Sequence, residues 1–407
     1  MQSGSHLQSS TPNYVGRPPD ALPLSPLPVV GIVGGGQLAR MTYQAGISLG
    51  LSLHILAEHE DDCAALVSPN VTIGSPTSRE RLERFVASCD VVTFDHEQVD
   101  TNLLQALTPC RALLRPTPAT QSLTQNKRRQ RRELGDLGFP VPPFRHVDSL
   151  DDIRGFASIH GWPLMVKASR GGYDGRGVWP VHNEYEAQQV VAAAARRGAE
   201  LLVETVVSID KELAVLVARR ASGESMVYPV VETVQRDGIC RQLLAPARVP
   251  ASIQATATTI GKDVADAIGS TGILAVELFL SDGQLIINEL AARPHNSGHF
   301  SIEGCTTSQF ENHLRAILNW PLGDPSLVAP AVATVNVIGN GDVDPRLHRA
   351  AALGVPGVRL HLYDKAARDG RKLGHVTALG ATIDDALHRA RSAERLLTGT
   401  DSSVTTR

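Results

Sequence analysis

The apolar positions of the chain fall first into short, unalternating runs. Val29-Val30-Gly31-Ile32-Val33 has the pattern of a strand buried on both faces. Gly34-Gly35-Gly36 and a helical stretch from Gln37 to about Gly50 come next. Leu51 to Leu56 and Val91-Val92-Thr93-Phe94 repeat the strand pattern. The strand and helix alternation from 29 to about 120 predicts one doubly wound α/β unit, with its loops gathered at one sheet edge.

From Pro140 the texture changes. A helix near 150 to 160, a strand Pro163 to Lys167, a glycine-rich loop and a strand Val178 to Val181 predict a small α+β lid. Longer apolar strands follow at Leu201 to Val203, Ala214 to Ala218 and Ile273 to Leu280. The last is joined through Ser281-Asp282-Gly283 to Gln284–Leu290, a hairpin signature. Phe310, Leu314, Ile317 and Leu318 recur at helical spacing until Pro321 stops the helix. The expected division is a disordered leader over 1–28, an α/β unit over 29–122 and a second unit over 123–325. Within the second, the lid covers about 140–205 and the central part about 206–325. A small C-terminal unit over 330–395 and a polar tail over 396–407 complete it.

Composition narrows the function classes. A chain of 407 residues with 42% apolar and 20% charged positions can bury several cores and is not a disordered chain. A net charge of −3 argues against a nucleic-acid binder or a polybasic membrane-surface protein. Five scattered cysteines without a C-x-x-C pair indicate neither a disulfide framework nor a zinc site. With no apolar run of spanning length and no signal-peptide pattern, the expected location is cytoplasmic. Lysines number six against 33 arginines, so each lysine repays individual inspection.

Several strings can carry chemistry. Gly34-x-Gly36-x-x-Ala39, with Glu58 after the second strand, matches a dinucleotide fingerprint and keeps an NAD(P)-dependent oxidoreductase open. Lys167 ends a strand before Gly171, Gly172, Gly175 and Gly177, whose backbone N–H groups can converge on a polyphosphate. Glu204-Thr205-Val206-Val207, with Glu212 nearby, offers adenine a backbone edge and ribose a carboxylate. In the hairpin, a three-residue loop sets Glu277 and Glu289 diagonally on one face. Two carboxylates there call for a hard cation, magnesium on ATP phosphates; a two-residue loop would send them to opposite faces. His295 and His299, four apart without the zincin glutamate, suit substrate contacts better than a metal pair. His313 reads as structural, and Lys127-Arg128-Arg129-Gln130-Arg131-Arg132 as a solvated helix face.

Lysine, glycine-rich loop, adenine hinge, ribose acid and two carboxylates, in this chain order, resemble the ATP-grasp superfamily. Gly172-Tyr173-Asp174-Gly175-Arg176-Gly177, the string Asn288 to His299, Ser308-Gln309-Phe310-Glu311 and the late basic string Tyr363-Asp364-Lys365 to Arg371-Lys372-Leu373-Gly374-His375 are similar to the 5-(carboxyamino)imidazole ribonucleotide synthase family. The resemblance runs from about 29 to 380. It implies mixed α/β and α+β architecture: an ATP-grasp fold behind an N-terminal Rossmann-like (pre-ATP-grasp) domain, with a small C-terminal domain.

The resemblance also implies an activity. ATP and bicarbonate form carboxyphosphate, whose carboxyl group passes to the exocyclic amine of 5-aminoimidazole ribonucleotide in purine (IMP) biosynthesis. Lys127, Lys167, Gly172 to Gly177, Glu204 to Val207, Glu212, Gln235, Asn288 and Glu289 would bind ATP. Glu277 and Glu289 would hold magnesium, with two ions expected. Gly36, Gln37, Glu97, Tyr173, Asp174, Arg176, Asn296, Ser297, Lys365, Arg371 and Lys372 would hold the ribonucleotide, and Lys167, Arg293, His295 and Asn296 would act in catalysis. A homodimer is implied by the family. The chain departs from the family pattern at Asn126-Lys127, where relatives have Asp-Arg, and at Asp95-His96-Glu97, where they often have Glu-x-Glu. Another ATP-grasp enzyme, such as a formate-dependent phosphoribosylglycinamide formyltransferase, is the second reading. A biotin carboxylase is disfavoured because no Met-Lys site exists, so biotin is not expected.

Overall fold

A computed structural model of the chain describes residues 27–107, 112–172, 177–341 and 343–400. Nearly all of the expected leader, residues 401–407 and Tyr173, Asp174, Gly175 and Arg176 of the glycine-rich loop lie outside the described residues; the first residues of the expected polar tail instead finish the helix Ile383–Thr398, where Leu397 is buried. Among the described residues, no helix is long and apolar enough to cross a membrane.

The first sheet is parallel throughout. Its strands β1 (Val29–Val33), β2 (Ser52–Ala57), β3 (Val71–Ile73), β4 (Val91–Phe94) and β5 (Leu113–Leu114) lie in the order β3-β2-β1-β4-β5. Helix α1 (Gln37–Ser48) follows β1. The strand order reverses between β1 and β4, so the loops leaving these two strands border the crevice where ligands bind in doubly wound sheets. Those loops are Gly34-Gly35-Gly36 and Asp95-His96-Glu97. Glycine is needed at 34, where φ is +112° and a Cβ would come within 1.7 Å of Asp95 Oδ1.

The lid is a four-stranded antiparallel sheet of β6 (Phe144–Val147), β7 (Leu164–Ala168), β8 (Val178–Val181) and β9 (Leu201–Thr205), ordered β6-β9-β7-β8. The glycine-rich loop joins β7 to β8. The third sheet is antiparallel and holds nine strands. They are β10 (Lys211–Arg219), β11 (Ser225–Val227), β12 (Val231–Arg236), β13 (Ile239–Ala245), β14 (Gly272–Ser281), β15 (Gln284–Ala291), β16 (Ala331–Ile338), β17 (Val358–Leu362) and β18 (Lys372–Gly380). The pairing of β13 with β16 runs the sheet continuously into the C-terminal segment, so the late strands extend the central sheet rather than starting a new one. Leu213, Val215 and Val217 face one core, and Ala214, Leu216 and Ala218 face another, as strand alternation requires of a sheet covered on both sides.

The β14–β15 hairpin differs from the sequence expectation. Its loop has two residues, Asp282 (φ +47°) and Gly283 (φ +75°), closed by the Ser281–Gln284 pair. Asp-Gly favours this tight turn because both central residues need positive φ. An uninterrupted ladder would then put Glu277 opposite Asn288. A β-bulge between Glu277 and Leu278 takes up Asn288 as the extra residue, so Glu277 pairs directly with Glu289. The bulge restores the facing carboxylates that the two-residue loop alone would have separated.

The basic run also departs from its expected solvated role. On the helix Lys127–Asp136, Lys127, Gln130, Arg131 and Leu134 form a buried stripe at helical spacing. Each of its polar members has a partner: Gln130 Oε1 accepts from the Leu290 amide, Lys127 meets Glu289, and Arg131 meets Glu204 through Nε.

Replacing Gly34 tests the first turn. Gly34→Ala should destabilise the fold by about 2 kcal/mol, through left-handed strain and displacement of Asp95. Urea denaturation measures this; an unchanged midpoint would mean that the turn tolerates a Cβ.

Candidate functional site

The two sheet edges and the lid enclose one cavity of about 1300 Å³. On one side β14 and β15 supply Glu277, Asn288 and Glu289, while Lys127 enters from its helix and Lys167 from the end of β7. On the other side lie Gly36 and Gln37 from the first glycine turn, Glu97 after β4, and Lys365, Arg371 and Lys372 from the segment between β17 and β18.

Charge organises the first side. Glu204, at the end of β9, is almost fully buried between Arg131 (2.6 Å) and Lys167 (2.7 Å). Burial alone would raise its pKa, but the two cations outweigh this and hold it below the ordinary carboxylate range. Glu204 lines the cavity with its charge already balanced by two protein cations. Glu212, the other acid of this stretch, lines the cavity beside Gln235 without such cations, and burial raises its pKa against the hydrogen bond with that side chain. Thr205, Val206 and Val207 line the cavity too, as does an apolar set of Met165, Val178, Pro180 and Phe279. These four were missed in the sequence because isolated apolar residues on strands are indistinguishable from core.

The facing pair Glu277 and Glu289 is asymmetric. Lys127 pairs with Glu289, which is held low despite its burial. Glu277 has no such partner and is pushed up to about 7 by burial, then by the charges of Glu289 and Glu212. Asn288 Nδ2 donates to Glu277 (3.3 Å), and Lys167 Nζ reaches Asn288 Oδ1 at 3.5 Å. Two carboxylates and an amide oxygen on adjacent strands, their repulsion only partly offset by Lys127, fit a hard divalent cation such as magnesium.

The segment after β15 connects the two sides. The Arg293 guanidinium forms an ion pair with Glu97 (2.7 Å), while His295 Nε2 lies 3.4 Å from Glu277. The Ser297 backbone N–H donates to His295 Nδ1, beside which the Ser297 hydroxyl lies at 2.8 Å; with Nδ1 as acceptor the ring proton sits on Nε2, facing Glu277. Burial, then the neighbouring cations Arg293 and Lys372, keep this ring neutral. Ser297 itself is buried, so it positions His295 rather than lining the cavity. Asn296 lines it; Gly177 marks the far end of the glycine-rich loop and is not among the lining residues, whereas Gly172 is. His299 corrects the sequence reading. It is fully buried and stacked on His375, away from the cavity. His313 is structural as read, bonding to Thr93 Oγ1 and accepting from the Ile273 amide.

On the second side, Asp95 is buried and accepts from the Gly36 amide (2.6 Å). Burial raises its pKa, against the charges of its neighbours. Lys365 Nζ donates to Gln37 Oε1 at 2.5 Å, and Arg371 donates to the Ala366 carbonyl at the exposed rim. Glu204→Gln would leave Arg131 and Lys167 buried without their counter-charge, and should cost about 3–5 kcal/mol of stability. Chemical denaturation reads this directly, and a loss under about 1 kcal/mol would show that the pair is not structural.

Family models match most of the chain: the ribonucleotide synthetase preATP-grasp domain over residues 27–125, the ATP-grasp domain over 132–310 and the phosphoribosylaminoimidazole carboxylase C-terminal domain over 333–389. The chain is 45% identical over 377 residues to N5-carboxyaminoimidazole ribonucleotide synthase of Mycobacterium tuberculosis, covering 91% of this chain and 88% of that protein. Its fold is similar to the crystal structure of carboxyaminoimidazole ribonucleotide synthase from Aspergillus clavatus complexed with ATP (TM-score 0.85, 33% identity, 91% of this chain and 98% of that one). The same similarity extends to the enzyme of that organism in complex with ADP and 5-aminoimidazole ribonucleotide (TM-score 0.83, 32% identity, 91% and 98%). With the parallel sheet, the lid and the bulged hairpin arranged around one cavity, these matches establish that the chain belongs to the N5-carboxyaminoimidazole ribonucleotide synthase family, ATP-dependent ligases of purine biosynthesis built on the ATP-grasp fold.

Proposed function

We propose that this ligase uses magnesium-bound ATP to join bicarbonate to 5-aminoimidazole ribonucleotide, working as a cytoplasmic homodimer. The observation that carries the reading is the 293–295 segment. Arg293 touches the acid of one half of the cavity and His295 approaches the carboxylate pair of the other, so two bound reactants would meet beside these residues.

On the ATP side, Val206 and Val207 offer the adenine a backbone edge, with the apolar set in the same cavity, and Glu212 faces the ribose. Lys127 and Lys167 bring positive charge to the phosphate oxygens, where it stabilises the transferring phosphoryl group. Glu277, Glu289 and Asn288 would hold magnesium, which supplies further neutralisation of phosphate charge when bound. Bicarbonate oxygen attacks the γ-phosphorus, ADP leaves, and carboxyphosphate forms. The neutral His295, with its Nε2 proton directed into this region, donates a hydrogen bond to an oxyanion there, and Arg293 adds a fixed charge. The ribonucleotide amine then attacks the carboxyl carbon and phosphate departs, taking the amine proton. Closure of the lid excludes water from the labile anhydride. Gly36, Gln37, Lys365, Arg371 and Lys372 suit the ribonucleotide phosphate, because a helix N-terminus and three cations gather there. Tyr173, Asp174 and Arg176, which lie outside the described residues, are proposed as further contacts to this substrate.

Phosphate release from ATP tests the substrate pair. Magnesium-dependent turnover should appear with bicarbonate and 5-aminoimidazole ribonucleotide; turnover only with formate and glycinamide ribonucleotide would favour the formyltransferase reading. A second prediction follows from Glu277. With its pKa near 7, the carboxyl is protonated below that pH and charged above it. Magnesium–ADP binding needs the charged form, so affinity should fall by up to about tenfold per pH unit below neutrality and level off above it. Calorimetry at about pH 6 in buffers of different ionisation heat should detect proton release on binding. No release would remove Glu277 from the metal set.

A further inference from the structure

Lys365 is the cation that reaches across to the first glycine turn, and its aim depends on the residue before it. Asp364 has a φ of +56°, a left-handed conformation that costs an ordinary L-residue energy and that Asp tolerates better than most. Its side chain is tied to Arg40 of α1, whose Nη1 donates to Asp364 Oδ2 at 2.8 Å. The other carboxylate oxygen of Asp364 faces Arg346 at 3.9 Å, and the Arg346 side chain is itself held by three hydrogen bonds to Asp344. On the other flank, Tyr363 is buried, its amide donates to the Leu373 carbonyl, and its hydroxyl bonds to His375.

Arg40 lies three residues beyond Gln37, one turn along α1, so both side chains lie on the same face of the helix. One helix face therefore holds the Asp364–Lys365 dipeptide at two points: Arg40 grips the carboxylate of the first residue, and Gln37 receives the ammonium of the second at 2.5 Å. A flexible lysine stem has several rotatable bonds, and a charge held in place costs less to position when an anion arrives. The first turn of α1 has no acidic side chain, and although the Gly36 amide is already taken by Asp95 Oδ2 (2.6 Å), the Lys365 ammonium beside that turn remains the charge an incoming anion meets.

We propose that Arg40 and Asp364 are positioning residues for the ribonucleotide: their ion pair locks the backbone of 364 so that Lys365 is aimed over the N-terminus of α1, where the substrate's phosphate binds. Neither residue touches the substrate, and both act through Lys365. The inference rests on the proposed role of Lys365.

A double-mutant cycle separates the two. Lys365→Met should raise KM for 5-aminoimidazole ribonucleotide about tenfold or more, with KM for ATP within about twofold of the parent enzyme. Arg40→Met and Asp364→Ala should each reproduce most of that rise. Asp364→Asn, which keeps an acceptor for Arg40 and tolerates left-handed backbone, should recover part of the loss. In the Lys365→Met background, Arg40→Met should add little, because the residue through which it acts is already gone. Thermal melting of every variant checks folding, and variants that melt together with the parent are the ones compared. Full additivity of Arg40→Met and Lys365→Met, or an equal rise in KM for ATP, would overturn the positioning role while leaving Lys365 as the phosphate cation. An unchanged ribonucleotide KM in Lys365→Met would overturn both.

Discussion

Two carboxylates facing each other across adjacent strands repel, and the rest of the site is arranged around that repulsion. Glu277 and Glu289 are brought opposite by a single inserted residue, Asn288, in a hairpin whose turn would otherwise have offset them. Among the described residues only Glu289 has a cation in direct contact. The Lys127 charge and the Asn288 hydrogen bond offset the burial and repulsion at Glu277 only in part, which makes the pair a receptor for a cation rather than a closed structural ion pair. The contrast with Glu204 is instructive. It has two cations and almost no exposure, and its charge stays inside the fold.

The cavity exists because two sheet architectures each leave a reactive edge at the same place. In the parallel sheet, reversal of strand order between β1 and β4 puts the glycine turn and the Asp95–Glu97 loop side by side. In the antiparallel sheet, the bulge at Asn288 re-aims side chains at one end, and the β17–β18 connection brings Lys365 from the other. Arg293 and His295 link these edges. A ligase that must carry an activated carboxyl group from one substrate to another needs this geometry, because a labile anhydride must not travel through water.

Much of this arrangement was legible in the sequence. The glycine turns, the scarce lysines and the two hairpin acids were all visible, because backbone permissiveness and charge are properties of single residues or short strings. The turn length was misjudged: Ser281 pairs with Gln284 instead of joining the loop, and no local signal announced the compensating bulge. Arg131 read as solvated because its partner, Glu204, lies 73 residues away, and burial of a charge can be read only when the counter-charge is known. His299 looked like part of a polar loop beside His295, yet packing against His375 takes it into the core. The Arg40–Asp364 contact spans 324 residues and has no periodicity to betray it. What stayed hidden in each case was a contact made by tertiary folding, not a local preference.

The cations divide their labour by chemistry. Arg131, Arg293 and Arg40 each hold a protein carboxylate, a task suited to a planar, weakly hydrated guanidinium that can stay charged when buried. Lys127, Lys167 and Lys365 bring a compact ammonium to the cavity, Lys127 resting on Glu289, Lys167 on Glu204 and more distantly Asn288, and Lys365 on Gln37. A lysine can turn its donors to a ligand's oxygen without breaking a bidentate fork, so exchange between a resting partner and a phosphate costs less than it would for a locked arginine. Arg371, at the exposed rim and bonded only weakly to a backbone carbonyl, is free of that constraint for a different reason: it has no buried carboxylate to hold. The division is not one of residue type alone, since Lys211 and Lys262 pair with Glu232 and Asp266 while Arg371 faces the cavity; what sets Lys127, Lys167 and Lys365 apart is that their ammonium groups lie at the cavity wall.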